Sequence, residues 1–211
     1  MSIPKVTIID YGMGNIFSVV SAFKYLGAEV EIVSDPEEIL KSSILVLPGV
    51  GSFRNAMEFL RERNIDEAII DAVTNKGVKI LGICLGMQLL GSYSTENGKT
   101  AGLGLLPNQV ERFTSKEVYE RKIPHVGFNS LHISEKQSLF KDLPHLADFY
   151  FVHSYRMLIE DIQGRYATCK YGVEFLAAYE IANICGTQFH PEKSQTNGLI
   201  MLKNFLQLKT C

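Results

Sequence analysis

The sequence predicts an α/β fold: a doubly wound, mostly parallel sheet with helices on both faces and an antiparallel strand extension in the C-terminal half. Three observations predict it. Short apolar, β-branched runs alternate with helix-length segments through the first part of the chain, up to the glycines around Cys84. Apolar strands separated by helices of that length call for a parallel sheet covered on both sides, wound by right-handed crossovers. Beyond residue 100 the pattern changes to short, glycine-punctuated runs that read as antiparallel strands.

Val6–Asp10 (VTIID) is the first strand, and Gly12 and Gly14 mark the turn after it. Ile16, Val19, Val20, Phe23 and Leu26 recur at helical spacing, and Gly27 supplies the stop. Residues 30–33 are the second strand. SDPEEIL then offers an N-cap with Pro36 in the first helical turn. Ile44–Pro48 is the third strand, ended by a glycine loop; helices follow over Phe53–Arg61 and Ile65–Asn75. Val78–Cys84 is the fourth strand, and LGMQLLGS opens another helix. Antiparallel strands are expected near 110–113, 126–134, 149–152, 165–169, 175–179 and 184–189, before an amphipathic helix, TNGLIMLKNFLQL. No repeat, low-complexity tract or linker interrupts the chain, so residues 1–211 are expected to form one domain.

Composition narrows the function classes. Twenty-one Lys+Arg against 23 Asp+Glu give a net charge of -2 over 211 residues. A protein that grips a phosphate backbone needs a basic excess, so nucleic acid is not the expected partner. The apolar runs are too short or too glycine-broken to span a bilayer, and no secretory signal opens the chain, so a membrane is not expected either and a cytosolic location is. Cys84, Cys169, Cys185 and Cys211 have no C-x-x-C or zinc-ligand spacing, and His125, His132, His145 and His153 no H-x-x-x-H spacing. Neither a metal nor another cofactor is expected. One of the cysteines remains a candidate nucleophile.

The strongest local signal is Gly82–Gly86, G-I-C-L-G, between a buried strand and a helix. A nucleophile on such a sharp turn stands clear of the backbone, and small flanking glycines make the turn sterically possible. The helix start behind Cys84 favours a thiolate, and the amide of Leu85 is placed where an oxyanion would form. The competing reading is a buried structural cysteine. A second signal is QFHPEKS, Gln188–Ser194, where Glu192 sits two residues from His190. A carboxylate there can fix the tautomer of the imidazole and stabilise its protonated form. A solvated surface H-P-E is the alternative; the joint occurrence of both motifs at strand ends favours chemistry. The glycine loop Pro48–Phe53 can bring backbone N–H groups close to a ligand and offers a second oxyanion donor. GMGNIF resembles the opening of a dinucleotide-binding loop, but Phe17 replaces the third glycine and no acid closes the second strand.

Taken together, VTIIDYGMGN, LPGVGSF, GICLGMQLL, PHVGFN, YFVHSY and TQFHPEKS resemble the class I glutamine amidotransferases, and among them the glutaminase subunits of imidazole glycerol phosphate synthase. The resemblance runs from about residue 5 to residue 208. It implies a Cys84–His190–Glu192 triad, an oxyanion site at the Leu85 amide and the Val50–Gly51 peptide, and a glutamine site at Gly49, Gln88, Glu96, His153, Ser154 and Tyr155. It further implies that ammonia released from glutamine passes to a (β/α)8-barrel cyclase partner in histidine biosynthesis. The family usually carries Trp where this chain has Phe128, and the Gly91–Gly98 stretch is less acidic than usual. Those departures keep a paralogous role in view, in which the ammonia serves surface-sugar amidation. A non-catalytic scaffolding subunit is disfavoured because Cys84, His190 and Glu192 are all present, and a cysteine peptidase does not account for H-P-E and FVHSY together.

Overall fold

The computed structural model describes residues 3–119, 121–144, 146–160 and 162–208; His145 and Cys211 lie outside the described residues. The first part of the chain runs β1 (Lys5–Ile9), α1 (Ile16–Tyr25), β2 (Glu29–Val33), α2 (Pro36–Ile39), β3 (Ile44–Gly49), α3 (Phe53–Glu62), α4 (Ile65–Thr74), β4 (Lys79–Cys84) and α5 (Leu85–Leu89). It continues with β5 (Tyr93–Ser94), β6 (Thr100–Ala101), β7 (Val110–Arg112), α6 (Ser115–Val118), β8 (His125–Ser130), β9 (His132–Ile133), β10 (Asp148–His153) and β11 (Tyr155–Met157). The last elements are β12 (Arg165–Tyr171), β13 (Val173–Ile181), β14 (Ile184–Thr187) and α7 (Gln195–Gln207).

β2, β1, β3, β4 and β14 form the parallel centre of the sheet, and β13, β11 and β7 extend it antiparallel. Every residue of β3 and β4 is buried. Because side chains alternate across a strand, Val46, Leu81 and Ile83 pack on one face with α1 and α7, while Leu45, Leu47 and Ile80 pack on the other with α3 and α4. Phe23 of α1 and Phe205 of α7 meet edge to face, with ring centroids 6.5 Å apart. Local chemistry sets the helix ends. Asp35 accepts a 2.9 Å hydrogen bond from the Glu37 N–H at the start of α2, and Gly27, with φ +82°, ends α1 in a left-handed conformation open to glycine without strain.

β14 pairs differently from the sequence expectation. Residues 184–187 pair antiparallel with β13, yet they also pair parallel with β4, with Thr187 opposite Ile83. The tight β13–β14 hairpin gives the segment its antiparallel signature, whereas its other neighbour lies a hundred residues upstream, beyond the reach of local patterning. Asn183 in that hairpin clamps the junction: its side-chain amide donates to the Val73 and Val78 carbonyls, and its own carbonyl accepts from the Ile80 N–H. β5, β6 and β11 are two or three residues long and carry no readable period. β8 and β10 form a separate antiparallel pair in which His153 lies opposite His125 and Tyr150 opposite Phe128.

α7 is anchored to the sheet by a buried ammonium. Lys79 Nζ, at the start of β4, donates to the carbonyls of Phe205, Leu206 and Leu208 at 2.8, 3.2 and 3.0 Å. They lie where a helix end runs out of intrahelical N–H donors, and the Phe205 carbonyl also accepts from the Leu208 N–H at 3.3 Å. Lys79→Met should therefore lower the unfolding free energy by about 1–3 kcal/mol, measured by urea titration, and protection from amide exchange should fall first in the last turn of α7.

Candidate active site

Cys84 ends β4 with φ +56° and ψ -110°, a conformation that side-chain-bearing residues rarely adopt. Its neighbours hold it there. A Cβ on Gly86 would lie 1.7 Å from the Leu47 carbonyl oxygen, and one on Gly82 would lie 2.7 Å from the Met87 backbone. Both glycines are thus required for α5 to turn back so closely over β3 and β4.

Cys84 opens onto a cavity of about 370 Å³ lined also by Val50, Gly51, Leu85, Gln88, Glu96, Pro124, Val152, His153, Ser154, Tyr155 and His190. The fold thus brings most of the predicted site residues to one place from five stretches of chain. Two stand behind the lining. Gly49 is enclosed: a Cβ there would lie 2.4 Å from the Tyr11 hydroxyl and 3.0 Å from Leu85 Cβ. Glu192 backs His190, its Oε1 2.8 Å from His190 Nδ1 and its side chain almost wholly buried. Gly51 has φ +102°, so the loop after β3 depends on glycine there.

The segment carrying His190 is tied to the β8–β10 pair. His190 N–H donates to the Tyr150 carbonyl, the Tyr150 N–H donates to Ser194 Oγ, and Ser194 Oγ–H donates to the His190 carbonyl. Burial disfavours protonation of His190, but its interactions with Cys84 and Glu192 outweigh that and hold its pKa above the ordinary histidine range. Its Nε2 is buried and free of protein hydrogen bonds among the described residues. With Nδ1 committed to Glu192, Nε2 is the atom left to exchange a proton within the cavity.

His153 is chemically the opposite case. Its Nδ1 lies 2.8 Å from the Tyr155 carbonyl, which can only accept, so Nδ1 carries the proton. His153 Nε2 then accepts from His125 Nδ1 at 3.0 Å. Burial is the main cause of lowered pKa values in both rings, to about 3 for His153 and about 4 for His125. Both are neutral at pH 7, and His125 stacks on Tyr171 with ring centroids 4.0 Å apart.

Glu96 ties the cavity to the loop after β3. Its Oε2 accepts a 2.7 Å hydrogen bond from the Phe53 N–H at the start of α3. Gln88 Nε2 donates to the Tyr155 carbonyl at 3.0 Å and to Gln188 Oε1 at 2.8 Å. Gln188 lies in QFHPEKS just past the end of β14, and only the fold brings its side chain to Gln88 and Cys84. Pro124 of PHVGFN and Val152 of YFVHSY also line the cavity, with no local pattern to mark them. Among the described residues no group of three His, Cys, Asp or Glu is arranged to hold a metal ion, and no helix is long and apolar enough to cross a membrane.

A strained cysteine and a carboxylate-backed imidazole at the ends of adjacent parallel strands place the molecule among sheet-based enzymes with a cysteine at a strand-to-helix turn. The chain belongs to the class I glutamine amidotransferases, the family that matches residues 7–208. It is 45% identical over 203 residues to "Imidazole glycerol phosphate synthase subunit HisH 1" of Parasynechococcus marenigrum, covering 96% of this chain and 97% of that one. It is also 45% identical over 203 residues to "Imidazole glycerol phosphate synthase subunit HisH" of Moorella thermoacetica, covering 96% and 94%. Among solved structures, PurLQS from Thermotoga maritima superposes with a TM-score of 0.76 at 19% identity, covering 98% of this chain and 99% of that one, a likeness of fold.

The two histidine environments predict distinct pH windows. The pKa values of His125 and His153 lie below the ordinary 6.5 in the folded state, so between those values the unfolded chain binds more protons. Their contribution to stability is present above pH 6.5 and falls as the pH drops towards 4. His190 has the opposite sign, and its contribution falls above pH 6.5 as the pH rises through its raised folded value. The urea midpoint should decline from pH 6.5 to 4.5, and His125→Gln should flatten that decline without changing the slope above pH 7.

Proposed function

We propose that this chain is the glutaminase subunit of an imidazole glycerol phosphate synthase, hydrolysing glutamine and passing ammonia to a (β/α)8-barrel cyclase in histidine biosynthesis. The observation that carries the reading is the convergence of Cys84 and His190, the latter backed by buried Glu192, on one cavity with Gln88 and Glu96. The two relatives described above, similar over nearly their whole length, supply the choice of pathway.

Cys84 Sγ, as the thiolate, attacks the carboxamide carbon of glutamine, and the carbonyl oxygen takes the negative charge. The Leu85 N–H and a reoriented Val50–Gly51 peptide donate to that oxygen. His190 Nε2 gives its proton to the amide nitrogen as the C–N bond breaks, releasing ammonia and leaving a glutamyl thioester on Cys84. The same nitrogen, now unprotonated, takes a proton from water as its oxygen attacks the thioester carbon. Glutamate and the thiolate–imidazolium pair are the products. Glu192 holds Nδ1–H throughout and stabilises the protonated ring. Gln88, Glu96 and the backbone of His153, Ser154 and Tyr155 orient the amino-acid end of glutamine, and Gly49 gives the loop its close approach.

A partner surface is supported beside the cavity. Val126, Phe128 and Val152 are 56, 51 and 37% exposed. Cross-strand pairing of Val126 with Val152 and of Phe128 with Tyr150 puts them on one face of the β8–β10 pair, and Val50, 42% exposed, stands at the cavity itself. An apolar rim there fits a docked protein that receives ammonia without release to water.

Cys84→Ala should lower glutamine-dependent synthesis by the assembled enzyme at least about 10⁴-fold while ammonia-dependent synthesis persists, because the acceptor chemistry belongs to the partner. Loss of both activities in a complex that still assembles contradicts that division of labour. The isolated chain should hydrolyse glutamine about 10²–10³-fold more slowly than the complex with its nucleotide ligand, the cost of one missing oxyanion donor. Equal rates oppose the loop-switch account. Co-expression with an authentic cyclase should restore growth without histidine to a strain lacking its own glutaminase subunit. Failure, together with stimulation only by another barrel protein, turns the reading to sugar amidation.

A further inference from the structure

Cys84 is buried, and a thiolate there has exchanged water for whatever donors the protein supplies. An unpaired buried charge is costly, so those donors decide how much thiolate forms. Sγ has two protein groups at hydrogen-bonding range. The Val152 carbonyl lies 4.0 Å away and the Gln188 side-chain nitrogen 3.8 Å away. The carbonyl can only accept, so it serves the neutral thiol. When the sulfur loses its proton, that contact turns repulsive and the amide contact strengthens. α5 is only five residues long, so its dipole adds little.

Amide orientation is often ambiguous, because oxygen and nitrogen can be exchanged. Here it is fixed by an unambiguous acceptor. The Tyr155 carbonyl requires an N–H from Gln88, so the Gln88 amide presents Nε2. That nitrogen, 2.8 Å from Gln188, requires an oxygen opposite it. Gln188 must therefore turn Oε1 to Gln88 and Nε2 to Cys84. Reversing either amide would set two donors or two acceptors against each other in a buried place.

We propose that Gln188 is a catalytic residue: its side-chain amide donates a hydrogen bond to Cys84 Sγ and stabilises the thiolate, oriented through Gln88 by the Tyr155 carbonyl. This deepens the glutaminase reading and rests on it. The donation is neutral, so it favours thiolate without placing a second cation beside His190. It also links the nucleophile to the glutamine pocket, because a substrate that pulls Gln88 away from Gln188 alters the donor on sulfur.

The test is the pH dependence of Cys84 alkylation by iodoacetamide in the full-length chain, read by peptide mapping. Other ionisable groups at the site are His190 with Glu192 behind it, Tyr11 from the loop after β1, and Glu96 and His153 in the cavity lining; none is changed by the variant. Gln188→Met should move the alkylation midpoint up by about one pH unit, with about tenfold slower modification below it. In the wild-type chain the Gln188 side-chain amide proton should titrate in NMR spectra with the same midpoint as alkylation. An unchanged midpoint in a folded Met variant overturns the proposal; should that variant not fold, a Gln188 amide resonance that ignores the Cys84 titration does so. Cys84→Ser keeps the two claims apart. If the wild-type complex does not hydrolyse glutamine, or Cys84→Ser hydrolyses it as fast, the glutaminase reading with Cys84 as nucleophile fails; if Cys84→Ser is inactive while Gln188→Met keeps the wild-type profile, only the role of Gln188 fails.

Discussion

The backbone of Cys84 is the constraint on which the site depends. A non-glycine residue at φ +56° costs on the order of 1–3 kcal/mol and persists only where its surroundings over-determine it. Here β3 and β14 pair in parallel on either side of β4, and α5 packs through Gly86 onto the Leu47 carbonyl. The same register that holds the strain also assembles the chemistry. Thr187 lies opposite Ile83, so the chain leaving β14 reaches residue 188 level with Cys84 and carries Gln188 and His190 past the sulfur. Adjacent parallel strands thus deliver Cys84 and His190 at their carboxyl ends, where open α/β sheets generally bind ligands.

A second constraint is polarity, and much of it traces to one carbonyl. Tyr155 accepts from both His153 and Gln88. Through His153 it fixes the tautomer of His125, and through Gln88 it fixes which end of Gln188 meets Cys84. Two uses of histidine follow from environment alone. His153, buried among aromatic rings and beside a second histidine, is held neutral, whereas His190, backed by Glu192 and beside Cys84, is held towards protonation.

The parallel half of the fold was legible because its strands are apolar and its helices are amphipathic at helical spacing, with Asp35 capping α2 and Gly27 stopping α1. G-I-C-L-G was legible for the same steric reason that the structure displays at Gly82 and Gly86. The parallel pairing of β14 was not, because a four-residue strand in a tight hairpin carries only its local antiparallel signal. The His125–His153 contact follows from the β8–β10 register, which joins residues 28 apart with no ligand spacing to announce them. Gln188 stands in QFHPEKS, yet nothing local reveals that its amide meets the sulfur; that needs the β4–β14 register and the orientation imposed from Tyr155.

In the proposed function Cys84 forms a covalent bond to the glutamyl group during turnover. Acid quenching of the assembled enzyme during hydrolysis of radiolabelled glutamine tests it most directly. Label is expected on the peptide containing Cys84, stable in acid and released by neutral hydroxylamine, as a thioester is. Label on another residue, or turnover without any labelled peptide under conditions that trap thioesters, would contradict it.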